Sequence, residues 1–399
     1  MKTFEYVLRK RGEKEPIPLT LTNGEQAEKS ESFHKGLPGY RQTPLVSLEG
    51  LASKMGVAKI WVKDESRRFD LNAFKALGGS YAIGNYLADK LGTSIEDVTF
   101  EQLCSAETRE ILGEITFVTA TDGNHGRGVA WAANLLEQKA VVYMPKGSSE
   151  ERLENIRAEG AEAEITELNY DDAVRLADRM AAEHGWVMVQ DTAWPGYEKI
   201  PAHIMQGYTT LAREIAVQLE QSGSEKPTHL FLQAGVGSFA GAVLGYFASL
   251  WGDDRPITVI VEPDQADCLY RTAKADDGTL HFVTGDMNSM MAGLCCGEPC
   301  TIGWEIINSY ADAFVSCSDE YSARGMQLLG RPAVGDSAVI SGESGAVGAG
   351  VLEGIMAEER LLQLRMALGL DENSRVLLIS TEGDTDKSNY QKVLAEEIN

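Results

Sequence analysis

Apolar residues in this chain gather into short runs separated by segments with helical spacing. From residue 115 the alternation is regular. Apolar runs cover 115–121, 140–144, 163–167 and 186–191, and helical spacing covers 123–138, 148–159 and 170–185 between them. Runs with little polar alternation read as strands buried on both faces, and their alternation with helices is the rhythm of a parallel βαβ sheet. A second series opens with a helix over 200–221 and continues with strands over 228–233, 257–262 and 313–316. It closes with a small-residue-rich helix from about Ser344 and a strand over 375–381. Residues 1–82 offer only one short strand, 60–63, too little to enclose a core, and so are expected to join the second series. The expected fold class is α/β with two domains, each a mostly parallel sheet flanked by helices. Residues 1–82 and 193–399 form the larger domain and 83–192 the smaller, inserted one. Ligands of such folds bind at strand C-terminal ends, here in a cleft between the sheets.

Length and composition agree with this picture, since 399 residues with 43% hydrophobic content can bury a substantial core. No apolar run reaches the roughly 18 residues of a membrane span, and residues 1–16 mix charges without the apolar centre of a signal peptide. A cytoplasmic protein without a membrane partner is expected. A net charge of -24 argues against nucleic acid, which needs a basic face. It does not argue against an anionic cofactor, because main-chain N–H groups at a helix start hold phosphate without any cation. The six cysteines lack the spacing of a disulfide framework. Cys104 and Cys317 read as buried thiols. Cys295, Cys296 and Cys300 cluster without a CxxC pair, with only His281 near, which disfavours zinc; a bridge from Cys268 to this cluster stays open.

Four loops carry candidate chemistry. In the first, Phe74 and Lys75 precede Leu77, Gly78, Gly79 and Ser80 at a helix start. Most lysines are solvated surface cations. One beside Phe74 and Leu77 in a dry pocket would have a lowered pKa and serve as nucleophile and base for imine formation with an aldehyde cofactor. In the second, Asp122, Gly123, Asn124, His125, Gly126 and Gly128 follow a strand. Asp122 can cap the helix or exchange a proton, Asn124 can donate to an oxygen anion, and simple capping would not require so many glycines. In the third, Gln233 to Gly241 includes Gly235, Val236, Gly237 and Ser238 between strand and helix. Its N–H groups and helix dipole suit a single phosphate, at about 0.3–1 kcal/mol for the dipole. Gly235, Gly237 and Gly241 miss the dinucleotide spacing by one, although Glu262 at the next strand end keeps a nicotinamide cofactor in play. The fourth loop, Ser380 to Asp384, offers Thr381, which can start a turn or donate one hydrogen bond to a pyridine nitrogen.

Lys75 in a Phe-Lys context, a GNHG loop, a glycine-rich phosphate loop and a C-terminal hydroxyl occur here in the order of the fold-type II pyridoxal-phosphate enzymes, the tryptophan synthase β and threonine dehydratase group. The segment Glu343, Ser344, Gly345, Ala346 also resembles that group, and the likeness runs over roughly residues 40–385. Departures narrow it: Asp122 stands where dehydratases have serine, Ala73 breaks the Ser-Phe-Lys triplet, and Ala234 to Ser238 replaces a run of glycines. ATDGNHG at 120–126, QDTAW at 190–194 and STEGDTD at 380–386 resemble the diaminopropionate ammonia-lyase family.

That resemblance implies pyridoxal 5′-phosphate as cofactor and 2,3-diaminopropionate as the small amino-acid substrate. The implied reaction is an α,β-elimination to pyruvate and two ammonia through a Schiff base on Lys75 and an aminoacrylate intermediate. It further implies Asp122 and Asp191 as an acidic pair able to bind the β-ammonium, and assembly as a homodimer. Lys75 and an aspartate on opposite faces of the substrate would each deprotonate one enantiomer. The alternatives are a serine or threonine dehydratase of the same fold, a catalytically silent sensor and a nicotinamide-dependent dehydrogenase.

Overall fold

A computed structural model describes residues 3–121 and 123–396, so Asp122 lies outside the described residues. The strands are β1 (Phe4–Leu8), β2 (Leu45–Ser47), β3 (Lys59–Asp64), β4 (Thr116–Ala120), β5 (Lys139–Met144), β6 (Glu162–Ile165), β7 (Val187–Met188), β8 (His229–Gln233), β9 (Ile257–Pro263), β10 (Ala313–Cys317) and β11 (Arg375–Ser380). The larger sheet has the order β1-β10-β9-β8-β11-β3-β2 and the smaller β6-β5-β4-β7. The five central strands of the larger sheet are parallel, as are all pairs of the smaller one. Buried on both faces, β8 to β11 carry the continuous apolar runs that made them legible.

The two edge strands of the larger sheet were not expected. β1 pairs antiparallel with β10 and β2 antiparallel with β3. Each is short and only half-buried, so its pattern is weak and its existence depends on the edge it meets. A helix, Leu362–Leu368, also intervenes between the helix Glu343–Ala357 and β11. β7 is hydrogen-bonded as a strand only at Val187–Met188, and the chain after Val189 turns Gln190 and Asp191 inward instead of extending the sheet. Among the described residues no helix is long and apolar enough to cross a membrane.

The helix Ala76–Lys90 carries the chain from the larger sheet toward the smaller and runs through position 82. It packs against both Lys199–Gln221 and Asn124–Leu135. The first of these approaches is so close that a Cβ on Gly207 would sit 2.4 Å from the Leu77 carbonyl oxygen. Gly207→Ala therefore has to push the Lys75-bearing helix outward, and we expect a loss of about 1–3 kcal/mol in denaturant unfolding. An unchanged midpoint would contradict this packing.

Candidate active site

The cavity lies at the C-terminal ends of β8, β11 and β4. It gathers residues from all four loops singled out in the sequence: Phe74, Lys75, Asn124, Gly235, Val236, Gly237, Ser238 and Thr381, joined by Asp191.

Lys75 is fixed by an unusual backbone. Phe69, Asp70 and Asn72 all hold positive φ, at 50°, 59° and 61°, a conformation that side-chain-bearing residues avoid unless their surroundings enforce it. The enforcement comes from the Thr381 loop. Gly383 N–H donates to Asn72 O (3.0 Å), Phe74 N–H donates to Thr381 O (3.1 Å), and Ala73 bridges to Glu382. Lys75 and Thr381, far apart in sequence, are thus tied through one backbone junction.

Lys75 Nζ forms an ion pair with Asp191 Oδ2 and lies 5.5 Å from the Phe74 ring centroid and 6.0 Å from that of Tyr208. Phe74 and Tyr208 make the surroundings apolar, as expected, with the Lys75 side chain 20% exposed, but the direction of the pKa shift is the reverse of the expected one. Burial works against the ammonium, yet the neighbouring Asp191 carboxylate, helped by Tyr208, outweighs it and holds Lys75 above the usual lysine range. Burial likewise works against the Asp191 anion, and the Lys75 ammonium overrides it, bringing Asp191 down to about 2. His125 Nδ1 lies 3.9 Å from the same carboxylate while its Nε2 bonds Val189 O at 2.8 Å.

The third loop presents a row of donors. From Gly235 to Ala240 no main-chain N–H is engaged by a hydrogen bond among the described residues. Gly237 precedes the helix Ser238–Trp251 at φ 99°, a left-handed turn open to glycine, which aims these groups at one point. Ser238 contributes through its N–H alone, since its hydroxyl donates to Asp191 O at 2.5 Å. Gly241, expected among the donors, does not reach the cavity. Its N–H is taken by Gly237 O (2.8 Å), and its missing side chain makes room for Gly303, 2.9 Å from where a Cβ would stand. Asn124 lines the cavity and is oriented there by donating one amide N–H to the Glu382 carboxylate, which in turn accepts from Ser344 N–H at 3.0 Å.

Several lining residues were not among those expected. Glu382 is 2% exposed, and Gln233, Tyr170, Cys296 and Ser344 also face the cavity. Ser344 Oγ is buried without a partner among the described residues. Glu382 was detectable as the acid next to Thr381, Cys296 as a member of the cysteine cluster, Gln233 as the first residue of the third loop and Ser344 within the Glu343–Ala346 segment; Tyr170 carries no local signal. Among the described residues the cysteines form no disulfide. Cys104 is half-buried, not buried. Glu262, the acid that kept a nicotinamide cofactor in play, is spent as a helix cap, accepting from Leu269 N–H (2.9 Å) and Tyr270 N–H (2.6 Å).

A lysine in a dry cavity, a row of unengaged N–H donors and a strand-end hydroxyl match the aldehyde, phosphate and pyridine nitrogen of pyridoxal phosphate. Comparison with known proteins agrees. Residues 37–382 match the family model described as pyridoxal-phosphate dependent enzyme. The chain is 55% identical over 377 residues to diaminopropionate ammonia-lyase of Salmonella typhimurium, covering 94% of this chain and 93% of that protein. Two crystal structures of the Escherichia coli diaminopropionate ammonia lyase are similar. The complex with D-serine superposes with a TM-score of 0.91 at 49% identity, over 98% of this chain and 97% of that one. The complex with an aminoacrylate-PLP azomethine reaction intermediate has a TM-score of 0.89 at 48% identity, over 99% and 97%.

Proposed function

The chain belongs to the pyridoxal-phosphate-dependent enzymes and, within them, to the diaminopropionate ammonia-lyases, and we infer that it converts 2,3-diaminopropionate and water to pyruvate and two ammonia. The observation that carries this reading is the Lys75–Asp191 pair at the edge of a row of free N–H donors. When bound, pyridoxal phosphate supplies an aldehyde for imine exchange and a ring that accepts the electrons of the broken Cα–H bond.

The roles of this chain's residues follow from their chemistry. The N–H groups of Gly235 to Ala240 would hold the phosphate, Thr381 would face the ring nitrogen, and Phe74 would wall the pocket against water. Lys75 is the covalent anchor. As a free amine beside the substrate it would take the α-proton. Asp191 then has no ammonium beside it and can accept the substrate's β-ammonium instead. A charge-assisted bond of this kind contributes about 1.5–3 kcal/mol, and a hydroxy amino acid can donate only a neutral O–H to the carboxylate, without the ion pair. This is the discrimination in favour of the diamine. Asn124, held by Glu382 through one N–H, would keep its second amide N–H for the cofactor's oxygen. The resemblance also supports a homodimer in the cytoplasm, and the expected division at about residues 82 and 193 would place the cavity between the two domains.

A stoichiometric assay tests the reaction. Diaminopropionate should yield two ammonia per pyruvate, whereas turnover of serine at a comparable rate with one ammonia per pyruvate would favour a dehydratase. Asp122, which lies outside the described residues, is proposed from the sequence as the second base. Asp122→Asn is expected to reduce turnover of one enantiomer by about 10²–10⁴-fold and to spare the other. Equal losses for both enantiomers in separate assays would remove Asp122 from that role.

A further inference from the structure

The two hydroxyls at the end of β11 point to opposite faces, as successive strand residues do. Ser380 Oγ donates away from the cavity, to Ser341 Oγ (2.8 Å), with Glu382 O at 3.2 Å. Thr381 Oγ1 faces the cavity, and beside it lies Gln233, 2% exposed at the end of the neighbouring strand β8. Gln233 Nε2 stands 2.8 Å from Ile379 O and 2.9 Å from Thr381 Oγ1. The carbonyl is an acceptor only, so the atom facing it must be the NH2 end of the amide; the carbonyl end would be repelled there. With one N–H committed to Ile379 O, the other is aimed at Thr381 Oγ1, which accepts. The hydroxyl proton is therefore turned away from Gln233. Among the described residues Thr381 Oγ1 donates to no acceptor, and the direction left to it is the cavity.

We propose that Gln233 is a positioning residue that forces the Thr381 hydroxyl to act as a donor to the cofactor's ring nitrogen; this rests on the reading above that Thr381 faces that nitrogen. The chain thereby offers the ring a neutral hydrogen bond whose polarity is set one residue away, in a strand that also leads into the phosphate loop. A hydroxyl without this constraint could turn its proton away from the cavity and leave the nitrogen bare.

The test uses holoenzyme loaded with pyridoxal phosphate labelled with ¹⁵N in the ring, in the parent protein and in the Thr381→Ala, Gln233→Glu and Gln233→Met variants. The readouts are the ring ¹⁵N resonance, the cofactor dissociation constant and the thermal unfolding midpoint. In Gln233→Glu the side chain accepts the Thr381 proton, so the nitrogen loses its donor just as in Thr381→Ala. Both should move the resonance downfield and weaken cofactor binding by about two- to tenfold, the loss of one neutral hydrogen bond. Gln233→Met frees the hydroxyl without redirecting it and should give a smaller shift in the same direction. If Thr381→Ala moves the resonance and neither glutamine variant does, Gln233 has no such role while the ring assignment stands. If no variant moves it, Thr381 does not face the nitrogen and both readings fall. Should Gln233→Glu fail to fold, Gln233→Met decides alone: a downfield shift supports the proposal and coincidence with the parent overturns it.

Discussion

Lys75→Ala should abolish borohydride-stable attachment of pyridoxal phosphate and lower turnover of diaminopropionate by at least the ~10²–10⁴-fold that a positioned general base contributes. The loss exceeds that of any other single substitution because one side chain serves as anchor and base. Peptide mapping after reduction provides the check, and a reduced adduct on another lysine would refute the assignment. The variant also isolates the electrostatic partner. In the parent, burial acts against the Asp191 anion and Lys75 overrides it, bringing Asp191 to about 2 from an ordinary 3.8. A depressed carboxylate stabilises the fold above its unfolded pKa, and this contribution is lost as pH falls from about 4 through about 2. Without Lys75, burial still raises Asp191 and only His125 and a backbone hydrogen bond oppose it, so cofactor-free Lys75→Ala should lose the part of this acid-limb contribution that Lys75 supplies. Unfolding midpoints of the cofactor-free proteins, measured against pH, would show whether the difference between them narrows as pH falls.

Asp191→Asn should cost about 10- to 150-fold in kcat/KM for diaminopropionate, the equivalent of a charge-assisted hydrogen bond worth 1.5–3 kcal/mol. Any residual turnover of serine should fall less, because serine brings no second ammonium. Equal losses for both substrates would mean that Asp191 acts on Lys75 and not on the diamine. The substitution also reverses the charge balance at Lys75. With the carboxylate present, the raised Lys75 pKa contributes stability that is complete below the unfolded value near 10.4 and is lost as pH rises through the folded one. With asparagine, burial remains the largest influence and pulls the lysine pKa down, opposed only by Tyr208 and Cys296. Cofactor attachment at neutral pH should then be faster, since a larger fraction of Lys75 is neutral, even as catalysis is poorer. Stopped-flow absorbance on mixing cofactor-free protein with pyridoxal phosphate would separate the two effects.

Much of the site was legible because its pieces are local. Lys75 after Phe74, the glycine loop after β8 and Thr381 at the end of β11 are each strand-to-helix or strand-to-turn signals spanning a few residues, and all line the cavity. What escaped was pairwise. The sign of the Lys75 pKa shift depends on a carboxylate 116 positions away, and a reading based on apolar neighbours alone sees desolvation without its counter-charge. The partner that orients Asn124, Glu382, is 258 residues distant and left no trace in the local pattern. Gly241 looked like a phosphate donor because it follows Gly235 and Gly237 in sequence, but one further helical residue carries its N–H into the i−4 ladder and away from the loop. The edge strands β1 and β2 were hidden for a related reason: a short, half-polar strand is specified by the edge it pairs with.

The sequence by itself determined the α/β class, the order of the chemical loops and the kind of cofactor they suit, since hydrophobic period and glycine placement act over a few residues at a time. Tertiary structure alone decided which groups share a charge or a proton: Lys75 with Asp191, Asn124 with Glu382, and Gln233 with Thr381. Each such pairing needs two side chains brought within hydrogen-bond reach in a dry interior, where electrostatic interactions grow strong and nothing in the chain's local pattern records them.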